Sequence, residues 1–505
     1  MLDPSSLPEV TRVDPRFQSF NVEMVEVTGG RFWAPYALGP DDGDESPLAT
    51  PALAGDGDAL RESMRQMFRY RPPLDVGNAR LRLLAGALAP AYMRVSGAWA
   101  NSTYFHDSHE PYSDAPPEGF GSVLTREQWR GVVQMSQDLG LDILLSFAIC
   151  DGVRDANGVW QTDQARALFA ATSHMGGRIA AVEFMNETSM GHLQGLSRSY
   201  GPADYARDFA AFKSLVEEVS PQTLIAGPSA VSERTGPPDP QMAGLLRTQD
   251  IYELTGPMVD AFSYHYYGGV SKRCTELMKQ PTPQASRALT AEWLAGTGLD
   301  ADFYGDLRDR VEPGKPLWLT ETAEAACGGN PWASTFLDTF RYVDQLGELA
   351  RRSVQTVMHN TLAASDYALL DEDSFEPRPS YWAAWLWRRL MGDVVLDPGK
   401  SPAPSVRIYA HSLRGVAGGV AVVALNTDVD REETLELVGA EQRFTLHVEG
   451  PLETQTVLLN GSPLALTARD ELPALAGTEV ASGRVELPPA SISFLTLPNA
   501  AHPAC

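Results

Sequence analysis

Between residues 15 and 392 the chain alternates two kinds of hydrophobic pattern. Short, nearly continuous apolar runs occur at 17–24, 92–97, 141–149, 181–187, 223–229, 260–268, 316–321 and 353–361. Apolar runs of that length, rich in Val, Ile, Leu and aromatics, predict strands covered on both faces, the pattern of a parallel sheet. Between them lie segments with apolar residues every three or four positions, predicting helices at 61–70, 75–88, 125–140, 162–175, 202–219, 240–254, within 285–311, at 333–352 and at 379–392. Thr125, just ahead of one such segment, is placed to cap it. Eight strands alternating with helices over this length predict an α/β fold, a closed (β/α)8 barrel of the TIM type.

The pattern changes after Gly392. Runs such as VRIYAHSL, GGVAVVALNT, RFTLHVEG and SISFLTLP alternate with turn residues and carry no helical period, so a C-terminal antiparallel β-sandwich is expected. The proline-punctuated residues 1–14 read as an edge strand of that second unit. The expected division is a barrel at 15–392 and an accessory domain from 1–14 and 393–505.

Composition narrows the function. The chain has 505 residues, 43% hydrophobic and 21% charged, and no apolar run of the roughly 20 residues that cross a bilayer. A net charge of −25 argues against a nucleic-acid partner, which needs basic surface against phosphates. The start of the chain lacks the basic and apolar regions of a signal peptide, so as written it reads as cytoplasmic, or as secreted if a leader has been removed. Cys150, Cys274, Cys327 and Cys505 show no close CxxC pair, and His106 and His109 have no third ligand nearby, so neither a metal nor a cofactor is expected. Cys274 and Cys327 both follow strands ending on the same barrel face, and a disulfide between them is expected.

In a barrel the functional face is the C-terminal end of the strands. Two acids fall there: Glu187 after strand four, preceded by Asn186, and Glu321 at the end of strand seven. A single strand-end Glu more often bonds a helix terminus or a surface Arg; two facing one another across a barrel mouth are what a retaining glycosidase needs. One carboxylate attacks the anomeric carbon while the other protonates the leaving oxygen. Glu183, four residues before Glu187, is expected as a buried, hydrogen-bonded acid.

These residues carry a resemblance. Asn186-Glu187 with Glu321 resembles the clan A retaining glycosidases. The run from Thr320 to Arg351, the run from Asp366 to Leu396, and the segments VDPRFQSFNVEM, LAPAYMRVSG and YHYYGG resemble glycoside hydrolase family 79, the heparanase type. The resemblance implies Glu187 as acid/base, Glu321 as nucleophile, Asn186 on the sugar 2-hydroxyl, and Arg94 beneath Glu321. Glu23 is implied on sugar hydroxyls. Tyr266, beside His265, is implied as donor to the nucleophile, with Tyr267 as the rival register. The carboxylate of a glucuronate would meet the backbone N–H groups of Cys327, Gly328 and Gly329 and the hydroxyl of Tyr367. The resemblance further implies a β-glucuronidase on a glucuronic-acid-containing carbohydrate, and exo action is expected from the residues: the loop at 105–119 carries mostly acids, Lys272-Arg273 is the one basic pair that stands out, and insertions at 37–60, 105–124 and 270–300 can wall the cleft into a pocket. The alternatives are an endo-β-glucuronidase on glycosaminoglycans and a silent carbohydrate-binding protein.

Overall fold

The computed structural model describes residues 2–38, 67–112, 115–231, 233–234, 246–480 and 483–505. Eight parallel strands close a barrel in chain order. They are β1 (Gln18–Glu23), β2 (Ala91–Ser96), β3 (Leu141–Ser146), β4 (Ile179–Glu183), β5 (Leu224–Val231), β6 (Ala261–Tyr267), β7 (Leu317–Ala323) and β8 (Val354–His359). The surrounding helices are α1 (Ala79–Gly86), α2 (Arg126–Leu139), α3 (Asp163–His174), α4 (Pro202–Val219), α5 (Thr248–Thr255), α6 (Ala291–Val311), α7 (Phe336–Arg351) and α8 (Pro379–Leu390). Thr125 caps α2 by accepting from the Gln128 N–H.

The barrel interior is layered, and the layering positions the polar chemistry. At the lower level two large rings, Tyr92 and Trp318, pack 5.1 Å apart among Leu144, Ala180, Ala181, Ala226, Ala261 and Met358. Small alanines on three of the strands leave room for the two rings, so the barrel is plugged. Two residues further along the strands the inward positions turn polar: Arg94 on β2, Ser146 on β3, Glu183 on β4 and Ser263 on β6 are all buried. The apolar plug below removes water from this layer, which strengthens every interaction within it.

Beyond the barrel, β9 (Met391–Leu396), β10 (Val406–Leu413), β11 (Val420–Asn426), β12 (Gln442–His447) and β13 (Ser491–Leu497) form the centre of a nine-stranded sheet. The N-terminal strand Glu9–Arg12 pairs antiparallel with β9, at one edge. One face, with Val423 and Phe494, joins the core that runs into the barrel helices; Tyr409 donates from this face to Asp344 on α7. Gly347 makes that contact possible, since a Cβ there would lie 2.2 Å from the Tyr409 ring. The other face, with Val422 and Leu495, packs with Leu435 and Val485 of a two-stranded sheet, so the second layer of the sandwich is small.

Two expected helices differ. Of 61–70, residues 61–66 lie outside the described part, and Phe68–Arg71 is a strand paired antiparallel with Gly30–Trp33. Phe68 and Trp33 pack their rings, tilted at 45°, 4.6 Å apart across that pair, and this tertiary packing overrides the local helical pattern. Of 240–254, residues 240–245 lie outside the described part and α5 covers 248–254. No described helix is long and apolar enough to cross a membrane.

Candidate active site

Period-two alternation decides which strand residues enter the barrel mouth. On β6 the inward set is Ala261, Ser263, His265 and Tyr267; Ser263 bonds Ser229 and His265 contacts Arg94. Tyr267 therefore points inward and donates its hydroxyl to Glu321 Oε1 at 2.5 Å. Tyr266, expected in that role, faces outward: its hydroxyl lies where a Cβ on Gly296 of α6 would be 2.4 Å away. The run YHYY offered two tyrosines, and the alternation begun at Ser263 selects the second.

Alternation alone would turn Glu321 away, because Trp318 points inward. The β6–β7 register slips between Tyr264/Leu319 and His265/Glu321, leaving Thr320 without a partner. This irregularity gives the strand an extra residue and brings Glu321 to the inner face. Glu187 reaches the site by another route. Strand β4 ends at Glu183, not at Glu187 as expected, and Glu187 stands beyond it at φ +47°, ahead of the 3-10 turn Thr188–Leu193.

Arg94 joins the two acids. Fully buried, its guanidinium donates to Glu183 Oε2, Glu321 Oε2 and Asn186 Oδ1, each at 2.9 Å. Burial works against its charge, but Glu183 and Glu321 outweigh that and raise its pKa. Burial likewise opposes the charge of Glu183, and Arg94 foremost brings its pKa below the usual value. Glu183 thus remains an anion that anchors Arg94 from below.

His265 Nε2 lies 3.2 Å from an Arg94 nitrogen, which can only donate, so Nε2 accepts and the proton of the neutral ring sits on Nδ1. Burial holds this imidazole neutral, with its pKa lowered to about 4. Nδ1 then donates to Glu187 Oε1 at 3.2 Å and lies 3.7 Å from Glu321 Oε2. One atom each of Glu187, His265 and Glu321 falls within 4.8 Å of the others. Those are metal-ligand types, yet both oxygens of Glu321 already accept, one from Arg94 and one from Tyr267. Burial raises the Glu187 pKa to about 7, while the Gln194 hydrogen bond pulls it down.

On the far side of Glu321, Asn360 Nδ2 reaches Glu23 Oε1 at 3.2 Å, Tyr267 Oη at 3.1 Å and Tyr367 Oη at 3.2 Å. The second Glu23 oxygen is buried with no hydrogen-bond partner, and burial together with the charge of Glu321 raises the Glu23 pKa. Gly97, at φ +87°, is required beside it, because a Cβ there would overlap Glu23 Oε2.

Cys327, Gly328 and Gly329 follow β7 with φ of +64°, +83° and +77°. Cys327 is bonded to Cys274, as expected, with the Cα atoms 6.5 Å apart. The turn is also tied by Ser271 Oγ to the Gly329 carbonyl at 2.7 Å and by Ser365 Oγ to the Gly328 carbonyl at 3.0 Å. The N–H groups of Gly328 and Gly329, both buried, donate to no acceptor among the described residues. Glu23, Asn186, Glu187, Tyr267, Glu321, Cys327, Asn360 and Tyr367 all line one cleft of about 630 Å³. Sequence reading missed Asn101, Gln194 and Asn360, lone polar residues in loops with no spacing signal.

A closed parallel barrel with two carboxylates facing across its mouth defines the chain as a glycoside hydrolase. No protein-family profile matches the chain. Mouse (Mus musculus) heparanase is 27% identical over 490 residues, covering 85% of this chain and 88% of that protein. The hyaluronoglucuronidase of the leech Hirudo nipponia is 26% identical over 475 residues, covering 86% and 92%. Among solved structures, a 4-O-α-L-rhamnosyl-β-D-glucuronidase from Fusarium oxysporum 12S shares the fold at a TM-score of 0.60 and 13% identity, covering 98% of this chain and all of that one. Over most of its length the chain is thus similar to heparanase-like glycosidases.

Proposed function

We propose that the protein is a retaining exo-β-glucuronidase. The observation that carries the chemistry is the separation of the acids: carboxylate oxygens of Glu187 and Glu321 within 4.8 Å of one another match the roughly 5–5.5 Å of retaining enzymes better than the 6.5–9.5 Å of inverting ones. Glu321, held by Arg94 and Tyr267, is the nucleophile. Glu187, its proton affinity raised by burial, is the acid that protonates the leaving oxygen and then, as carboxylate, the base that activates water.

The unpartnered N–H groups of Gly328 and Gly329 and the Tyr367 hydroxyl support a carboxylate-bearing sugar. A buried donor without an acceptor is costly, and an anion placed against it removes that cost. Glu23 and Asn360, which line the same cleft, suit the sugar hydroxyls. The test is a panel of aryl β-glycosides: β-glucuronides should exceed β-glucosides in kcat/KM by about 10³ or more, a few kcal/mol of charge-assisted bonding. Equal rates would defeat the carboxylate assignment.

A second reading, endo cleavage of an acidic glycan, has its own observation. Arg234, Arg247 and Arg310 line the cleft, and no acid pairs with Arg247 or Arg310 among the described residues. Against it, Arg273 of the basic pair Lys272-Arg273 is turned inward, bonded to Asp366 and stacked over Tyr36. Size analysis of heparan sulfate and hyaluronan products decides: internal shortening supports the endo reading, release of monomeric glucuronic acid the exo one.

A further inference from the structure

Glu187 has only two hydrogen-bond partners among the described residues, His265 Nδ1 on Oε1 and Gln194 Nε2 on Oε2 at 2.5 Å. Both are oriented by the same guanidinium. Arg94 can only donate, so Asn186 presents its oxygen to Arg94 and its Nδ2 to Gln194 Oε1 at 3.0 Å. Asn101 is fixed independently: its Oδ1 accepts from the Asn186 backbone N–H at 2.9 Å, and its Nδ2 donates to Gln194 Oε1 at 2.9 Å. With two donors on its oxygen, Gln194 has no alternative but to aim its NH2 at Glu187. One relay runs Arg94 to Asn186 to Gln194 to Glu187; the other runs Arg94 to His265 to Glu187.

We propose that Gln194 is a positioning residue, locked by Asn101 and Asn186, whose donated hydrogen bond restrains the proton affinity of Glu187 so that one carboxyl can serve as acid in the first step and as base in the second. The inference rests on the assignment of Glu187 as acid/base. A group that must both give up and recover a proton works best with its pKa near the working pH. Glu187 is mostly buried at the mouth of the cleft, and the charges that face it come from every side: Arg94 on β2, Glu183 on β4, and Glu321 on β7, with neutral His265 and Tyr267 on β6. A donor to the carboxylate form offsets the burial without adding another charge to that set.

The experiment is the pH profile of kcat/KM on a β-glucuronide for wild type, Gln194→Leu and Asn101→Asp. Gln194→Leu removes the donor; Asn101→Asp puts acceptors against Gln194 Oε1 and frees the amide to flip its oxygen toward Glu187. In both variants the alkaline limb should move up by about one pH unit. Their kcat on a glucuronide with an activated phenol, where the base step limits, should fall about tenfold or more. Should Gln194→Leu fail to fold, Asn101→Asp and the carbon-13 titration of the wild-type Glu187 carboxyl read the same quantity. Folded variants with an unmoved alkaline limb would overturn the proposal. Azide rescue of Glu187→Ala, run alongside, separates the two levels: without rescue the acid/base assignment itself fails, and with rescue but no shift only the role of Gln194 does.

Discussion

Tyr267 Oη lies 2.5 Å from Glu321 Oε1, on the oxygen opposite the one held by Arg94, and so completes a fixed orientation for this carboxylate. A carboxylate fixed on both oxygens loses little orientational freedom on attack, which is how held geometry lowers a barrier. Tyr267→Phe should lower kcat/KM about 10- to 100-fold, the worth of one charge-assisted bond, whereas Tyr266→Phe should stay within about threefold of wild type. Steady-state kinetics on the two variants check this, and the reverse ranking would restore the other register.

Removing either acid should have distinct consequences. Glu321→Gln should abolish turnover on every glycoside. Glu187→Ala should lose about 10²–10⁴-fold on substrates with poor leaving groups, and much less with an activated phenol. Azide should restore part of the activity and yield a β-glucuronosyl azide, detectable by NMR. An α-configured azide would show inversion instead.

Stability should have a maximum near pH 6. Burial raises Glu26 and Glu187 to about 7 and Glu324 to about 8. A raised carboxyl stabilises the fold below its unfolded pKa, and that stability is lost as pH rises through the folded value. Burial lowers His265 and His411 to about 4 and His359 to about 3, so these stabilise above 6.5 and lose that stability as the pH falls. Above 6.5 the carboxyls act alone, and Tm should drop by several degrees between pH 6.5 and 8.5. It should drop again below about pH 5. Calorimetry across that range tests both limbs; a Tm rising steadily to pH 8.5 contradicts the first.

The Cys274–Cys327 bond closes a separation of 53 residues, worth about 4 kcal/mol in loop-closure entropy. It also ties the turn bearing the Gly328 and Gly329 N–H groups to the segment after β6. Cys274→Ser with Cys327→Ser should therefore lower Tm and narrow the preference for glucuronides over glucosides together. Loss of Tm with the preference intact would confine the bond to stability.

The barrel was legible in the sequence because its strands are buried on both faces and most of its helices on one, and those conditions write themselves into local periods of two kinds; α7 and α8, covered by the second domain, are buried almost all round. Glu187 and Glu321 stood out for the same reason, as two acids each following a continuous apolar run and so expected at one end of the barrel. What tertiary structure decided is finer. The choice of Tyr267 over Tyr266 depends on which face of β6 looks inward, and the entry of Glu321 depends on a register slip that no residue type signals. The strand Phe68–Arg71 exists because Gly30–Trp33 lies beside it. Asn101, Gln194 and Asn360 acquire their roles only through partners brought from distant parts of the chain: the direction of the Gln194 amide is set by the unflippable donor at the far end of its hydrogen-bond chain, and that chain exists only once the barrel has closed around Arg94.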